Sequence, residues 1–287
     1  MDGVNVMIMD CHIHLLPGEV RLDRTMYVHS DAAFGSLYSS PKARLASEED
    51  IISYMDDSGI EKAVVFGFPW ESHDLISKNN DEVWEFAQRN PARIYPFAVL
   101  SPEVGDRAYR ETERIVSAGF AGIGELAMYH GGWSAAGFEA LSPCLEMAGS
   151  AGIPVMLHVN EPVGHEYPGK ISVDFQGLLQ LIGANPEVTF ILAHFGGGIF
   201  VYGLMPEVAG VLARTYVDTA ASPYLYDARV YDVATRVLGQ DKILFGSDFP
   251  LLAVARYLKH IEQSGIGKDA QKAILGENLA RLLSLSH

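Results

Sequence analysis

The stretch Asp10-Cys11-His12-Ile13-His14 carries the densest chemistry in the first part of the chain. In a strand, alternate side chains project to one face, so Asp10, His12 and His14 point one way and Cys11 the other. Two imidazoles that meet at one point form a clamp for a divalent ion, because neutral imidazole nitrogen is a preferred ligand of zinc. Residues of the same kind close later apolar runs: Glu125 in GIGEL, His158 in VMLHV, His194 in FILAHFGGG and Asp248 in ILFGSDFP. Singly, each reads more plainly as a hydrogen-bonded core histidine, a helix cap or a rim carboxylate. Jointly, six such groups at strand ends predict one polar cluster.

The elements that must position them alternate between short β-branched runs and longer segments of helical period. The strands read Asn5–Cys11, Ala63–Phe68, Ile94–Leu100, Gly119–Leu126, Pro154–Val159, Thr189–Phe195, Tyr216–Ala221 and Lys242–Phe249. Eight β–α units with near-continuous apolar strands predict an α/β fold, a (β/α)8 TIM barrel, as one domain over residues 1–287. In such a barrel the C-terminal strand ends converge on one mouth, where residues distant in sequence share a site. A doubly wound open sheet would place a glycine-rich phosphate turn after the first strand, where this chain has His-Ile-His. The run Gly196-Gly197-Gly198 reads as a tight turn and not as an anion cradle.

Two additions to the barrel are expected: an extra C-terminal helix and a long β1–α1 insertion, Leu15 to Ala46. The insertion carries Arg21, Arg24, Lys42 and Arg44 against Glu19, Asp23 and Asp31, a net +1 on a chain of −15. Its guanidinium groups are candidates to grip a substrate carboxylate through their planar fork.

The 287 residues hold 36 acidic against 21 basic side chains, and that balance repels phosphate backbones and anionic lipid surfaces. A small-molecule substrate is therefore expected, with no nucleic-acid or membrane partner and with a homo-oligomer left open. Two cysteines, Cys11 and Cys144, are too few for a disulfide framework and fit a reducing, cytoplasmic setting. The opening residues lack the basic start and cleavage site of a signal peptide. The most apolar later stretch, Phe190 to Met205, is interrupted by His194 and three glycines and falls short of a membrane span.

The set DCHIH, His158, HFGGG and GSDFP, with a terminal GENLARLL helix, resembles the amidohydrolase superfamily. The resemblance is strongest to its amidohydrolase-2 branch, which includes aminocarboxymuconate-semialdehyde decarboxylase-like and resorcylate decarboxylase-like enzymes. It implies that His12, His14, His158 and Asp248 ligate a metal, usually zinc, and that His194 orients water or substrate. Glu125 departs from the decarboxylase-like pattern and resembles the fourth-strand glutamate of TatD-type hydrolases, which bridges two metals. One or two Zn2+ ions are therefore expected, with His158 and His194 holding the second.

The PHP phosphoesterases also open with D-x-H-x-H, but their late motif needs Asp-x-His, and here Asp248 precedes Phe249 and Pro250.

A divalent ion lowers the pKa of bound water from about 15.7 to about 7, so the expected activity is hydrolysis of a small-molecule amide, lactone or ester. Asp248 would shuttle the proton and His194 would stabilise the oxyanion. The alternatives are non-oxidative decarboxylation of an aromatic or unsaturated acid on the same ligands, and a binding protein with a structural metal. Asn160, Glu161, His165, Tyr167 and Lys170 are candidate substrate contacts, and Tyr129 and Trp133 a candidate apolar wall.

Overall fold

A computed structural model of the chain describes residues 6–101 and 105–284. Eight parallel strands run in sequence order: β1 Ile8–His14, β2 Ile60–Phe66, β3 Ile94–Ala98, β4 Gly122–Leu126, β5 Val155–Leu157, β6 Phe190–Leu192, β7 Thr215–Asp218 and β8 Ile243–Leu244. The Cys11 N–H donates to the Phe245 carbonyl at 2.8 Å and the His14 N–H to the Phe249 carbonyl at 3.0 Å, so β8 returns to β1 and the ring closes. The architecture is a (β/α)8 TIM barrel. Every expected strand has its counterpart, most of them shorter than the apolar runs because those runs continue into the loops. The first differs in register: β1 extends to His14, and Asn5 lies outside the described residues.

Local sequence explains where the helices begin and end. Ser47 and Asp50 form a reciprocal capping box before the helix Glu48–Ser58, and Gly59 ends it with φ +67°. The helix His73–Arg89 buries Ile76, Asn79, Asn80, Val83, Phe86 and Ala87, one face at helical spacing, against the barrel. Cys11 and Cys144 are buried and unpaired, packing residues on the side away from the mouth chemistry. The chain closes with the helix Val254–Gln263 and a composite helical segment, Lys268–Ser284, that packs against β1 and β8.

The insertion after β1 folds into three short helices, Gly18–Leu22, Arg24–Ser30 and Ala32–Tyr38. Asp23 and Asp31 cap the second and third by accepting from Met26 N–H and Phe34 N–H. Around them Leu16, Val20, Phe34, Phe68, Trp70 and Ile76 form a second apolar cluster outside the main core. The insertion is thus a packed cover on one side of the mouth.

A buried polar knot fixes the end of β3. Asn80 donates to the Val99 carbonyl at 2.8 Å and accepts from the Val99 N–H at 2.9 Å, and it also donates to Glu111 at 2.8 Å. Glu111 is 5% exposed and accepts two further bonds from Arg114 at 2.7 and 2.9 Å. Burial is the largest influence on Glu111 and favours its neutral form, but the bonds from Arg114 and Asn80 outweigh it and lower the pKa below 4.5. A depressed carboxylate stabilises the fold above its unfolded pKa and loses that contribution as pH falls through its folded one. Glu111→Gln should therefore cost about 1–3 kcal/mol at pH 7. In urea titrations its deficit against wild type should narrow once the pH drops below 4.5, the ordinary glutamate value; a constant deficit would mean that the charge contributes nothing.

Candidate active site

The four histidines named by the sequence are all held by their outer nitrogens. His12 Nδ1 donates to the Asp218 carboxylate at 2.8 Å, and His14 Nδ1 to the Gly67 carbonyl at 3.2 Å. His158 Nε2 donates to the Gly169 carbonyl at 2.9 Å, and His194 Nδ1 to the Ala220 carbonyl at 3.0 Å. A carbonyl or carboxylate oxygen only accepts, so each ring keeps a proton outside and turns its other nitrogen inward.

The inward nitrogens meet two carboxylates. His12 Nε2 lies 3.6 Å from Glu125 Oε2 and 3.8 Å from Asp248 Oδ1, while His14 Nε2 lies 3.9 Å and 3.4 Å from the same two oxygens. The other oxygen of Glu125, Oε1, faces His158 Nδ1 at 2.8 Å and His194 Nε2 at 3.4 Å, and those nitrogens are 3.2 Å apart. All six groups are acceptors unless something positive sits among them. His12 Nε2 is buried with no hydrogen-bond partner. Two overlapping triads, His12–His14–Asp248 and His12–Glu125–His194, bring one ligand atom each within 4.8 Å of one another. Imidazole and carboxylate donors in this arrangement fit a divalent transition ion.

The electrostatics show the same shortage of positive charge. Burial is the largest influence on His12 and opposes its protonation, but Glu125, Asp218 and Asp248 outweigh it and raise the pKa to about 10. Burial likewise opposes a proton on His194, which Glu125 and then Asp248 and Asp218 carry up to about 9. Glu125 is buried and Asp248 half-buried, yet the surrounding imidazoles hold Glu125 well below the carboxylate range and Asp248 at about 2.

Backbone conformations serve the convergence. His194 and Asp248 have φ of +58° and +56°, a left-handed region that costs about 1–3 kcal/mol and turns both side chains out of their strands into the mouth. The glycines after His194 continue that turn. A Cβ on Gly197 would meet the Asn160 carbonyl at 2.2 Å, so the run is a close-packed turn, as the sequence suggests. Gly124, with φ +130°, lets β4 approach Met156, whose carbonyl would stand 2.5 Å from a Cβ.

Asp10 shares the inward face, but it sits beneath the cluster and accepts from His12 N–H, Ser247 N–H and Tyr54 hydroxyl at 3.0, 3.0 and 3.3 Å. It fastens β1 to the turn after β8. Asp218 is the functional residue that the sequence reading missed. It also accepts from His194 N–H and Ala220 N–H at 2.8 and 3.0 Å. Its signal was present, an aspartate closing the apolar run of the seventh strand.

A cavity of about 470 Å³ opens above the cluster. Its floor includes His14, Glu125, His158, His194 and Asp248, and its walls include Tyr38, Phe68, Tyr129, Leu225 and Leu251. Asn160, His165 and Tyr167 also line it; Glu161 accepts from the Tyr167 hydroxyl at 2.7 Å, and Lys170 donates to the Val163 and His165 carbonyls at 3.0 and 3.1 Å. Trp133 is not a wall residue: it stacks on Phe138 and donates to the His158 carbonyl at 3.1 Å. Of the basic residues on the insertion, Arg21 and Arg24 brace backbone carbonyls, whereas Arg44 lines the cavity over the Phe249 ring at 5.6 Å.

The amidohydrolase family model matches residues 9–285. No curated protein sequence matches. Similar solved structures include 5-carboxyvanillate decarboxylase from Sphingomonas paucimobilis, with a TM-score of 0.79 and 14% identity over 98% of this chain and 99% of that one. The 2,6-dihydroxybenzoate decarboxylase from Rhizobium has a TM-score of 0.71 and 17% identity over 98% and 99% of the two chains. A dihydroxybenzoic acid decarboxylase from Polaromonas sp. JS666, with bound manganese and the inhibitor 2-nitroresorcinol, has a TM-score of 0.73 and 20% identity over 98% of each chain.

These findings correct the expectation of hydrolysis at a C–N or C–O bond. The similar structures named here are decarboxylases, and the ion bound in the Polaromonas protein is manganese, not zinc. The ligand types that suggested an activated water serve a carboxylate substrate equally well, which is why the sequence pattern misled. With its match running from the first strand to the last helix, the chain belongs to the amidohydrolase family.

Proposed function

We propose that this protein is a metal-dependent, non-oxidative decarboxylase of an aromatic or unsaturated carboxylic acid. The observation that carries the reading is the cavity: an acceptor-rich floor, walls of Phe68, Tyr38 and Tyr129, and the Arg44 guanidinium at the rim over the Phe249 ring. On a chain of −15, an anionic substrate needs local positive charge, and Arg44 together with a divalent ion supplies it. The names of the similar structures support the same chemistry.

His12, His14 and Asp248 would hold one divalent ion, with Glu125 in reach. Such an ion would supply Lewis-acid charge for substrate oxygens and for charge that develops in the reaction. Glu125 and His158 then leave His194 Nε2 surrounded by acceptors, so that nitrogen holds a proton facing the cavity. The bond from the substrate carbon to its carboxylate breaks with the electron pair staying on that carbon. The carbon takes the proton from His194 Nε2, and the carboxylate leaves as carbon dioxide. The walls are mostly apolar and offer water few partners beside the reacting carbon, so the proton on His194 is the group that carbon meets.

Metal titration of the protein should saturate near one equivalent of manganese or zinc. His12→Ala with His14→Ala should abolish uptake, and Asp218→Asn, which loosens His12, should weaken it by about 10–100-fold. Saturation at two equivalents would take His194 out of proton transfer.

A panel of hydroxybenzoates and unsaturated acids, assayed for released carbon dioxide, should contain a substrate. With that substrate His194→Asn should lower kcat by about 10²–10⁴-fold at unchanged metal content. A metal-loaded protein that releases carbon dioxide from none of these acids would defeat the reading.

A further inference from the structure

The cavity holds two phenol groups that the mechanism above leaves unused. Tyr38 ends the third insertion helix and Tyr129 lies in the loop after β4, and both face the same space as the metal-binding floor. Four other tyrosines are satisfied within the protein: Tyr54 donates to Asp10, Tyr167 to Glu161 and Tyr257 to the Ser247 carbonyl, and Tyr231 bonds Ser222. The hydroxyls of Tyr38 and Tyr129 have no hydrogen-bond partner among the described residues. A donor left open at a cavity wall is satisfied by whatever fills the cavity.

Both rings are fixed. Tyr38 stacks on Phe34 at 4.7 Å and meets the edge of Phe68 at 5.9 Å, and Phe68 stacks on Tyr129 at 5.6 Å with an interplanar angle of 9°. The three loops that supply these rings are also fastened outside the wall. Glu71 accepts from Ala32 N–H at 3.2 Å, donates its own N–H to Asp31 at 2.8 Å and pairs with His130, the neighbour of Tyr129. Burial first, and the negative charges of Asp248 and Glu125 after it, hold both phenols above their ordinary range, so each stays a donor at neutral pH.

We propose that Tyr38 and Tyr129 are specificity-determining residues that donate hydrogen bonds to an oxygen substituent on the substrate ring, selecting hydroxylated aromatic acids over unsubstituted ones. The inference rests on the decarboxylase reading for its substrate class. It assigns the selection to the insertion and the β4 loop, and it leaves the metal ligands no part in choosing between rings. Phe68, parallel to Tyr129, continues the wall against which a planar ring is held.

The test uses unreactive probes, so that binding is read apart from turnover. Calorimetry on the manganese-loaded protein compares 2-nitroresorcinol with nitrobenzene, which differ only by two ring hydroxyls, for wild type, Tyr38→Phe and Tyr129→Phe. Phenylalanine keeps the ring packing and removes only the donor, and thermal melts with metal content verify each variant. Wild type should prefer 2-nitroresorcinol, and each variant should lose about tenfold of that preference with nitrobenzene binding unchanged. An equal loss for both probes, or an unchanged preference, overturns the assignment. A preference lost in the variants of a protein that releases carbon dioxide from no acid keeps the assignment and overturns the reaction. An unchanged preference in an active decarboxylase does the reverse.

Discussion

The structure depends on one electrostatic constraint: six acceptor groups are brought together where only a positive charge can satisfy them. Four inward imidazole nitrogens and the carboxylates of Glu125 and Asp248 crowd at distances of 2.8 to 3.9 Å, and burial removes the water that would otherwise screen them. Such an arrangement persists only if the scaffold over-determines it. Hence the outer hydrogen bonds to Asp218, Gly67, Gly169 and Ala220, the left-handed residues His194 and Asp248, and the glycines at 124 and 197 that let neighbouring strands and turns come close. The left-handed residues are unfavourable locally and make sense only as support for the cluster, which the outer hydrogen bonds hold in place.

Asp218 shows how far that support reaches. Its Oδ2 orients His12, while its Oδ1 accepts from the backbone of His194 and Ala220, so one carboxylate on β7 sets a histidine of β1 and the turn after β6. Ala220 in turn supplies the carbonyl that orients the His194 ring. The two sides of the cluster are therefore coupled through a residue that touches neither cavity nor substrate. A change at β7 would disturb ligands on both sides at once.

The barrel was legible in the sequence because periodicity and strand spacing are local signals, and the clustering of His12, His14, Glu125, His158, His194 and Asp248 was legible because these residues lie where apolar runs close. What did not show was the second layer. Asp218 closes a run as Glu125 and Asp248 do, but nothing in its own segment distinguishes a residue that holds a ligand from one that is a ligand. That difference is set by neighbours 206 positions away in the chain, as for Asp218 and His12. Asp10 shows the converse: its parity with His12 and His14 is correct, but its depth in the barrel, beneath Ser247, is a property of the closed ring. The insertion was visible only as an excess of residues. Its helices depend on packing among Phe34, Phe68 and Trp70, which come from two different loops.

The reaction was the least legible feature, for a chemical reason. A divalent ion with a proton-carrying histidine beside it serves either to activate water or to hold a carboxylate, and the ligands are the same for both. What separates the two is whether the space above the ion admits water to the reacting carbon. Here the space is walled by Tyr38, Phe68 and Tyr129 on one side and by Leu225 and Leu251 on another, with Arg44 as the cationic group at its rim. Those residues come from the insertion and from loops after several different strands, the most variable parts of a barrel in length and sequence. The chemistry is thus written in the floor as a set of possibilities, and the wall selects among them. An apolar, flat-sided cavity with a cation at its mouth is shaped for a planar anion, and it is on this wall, not on the floor, that the proposed decarboxylation rests.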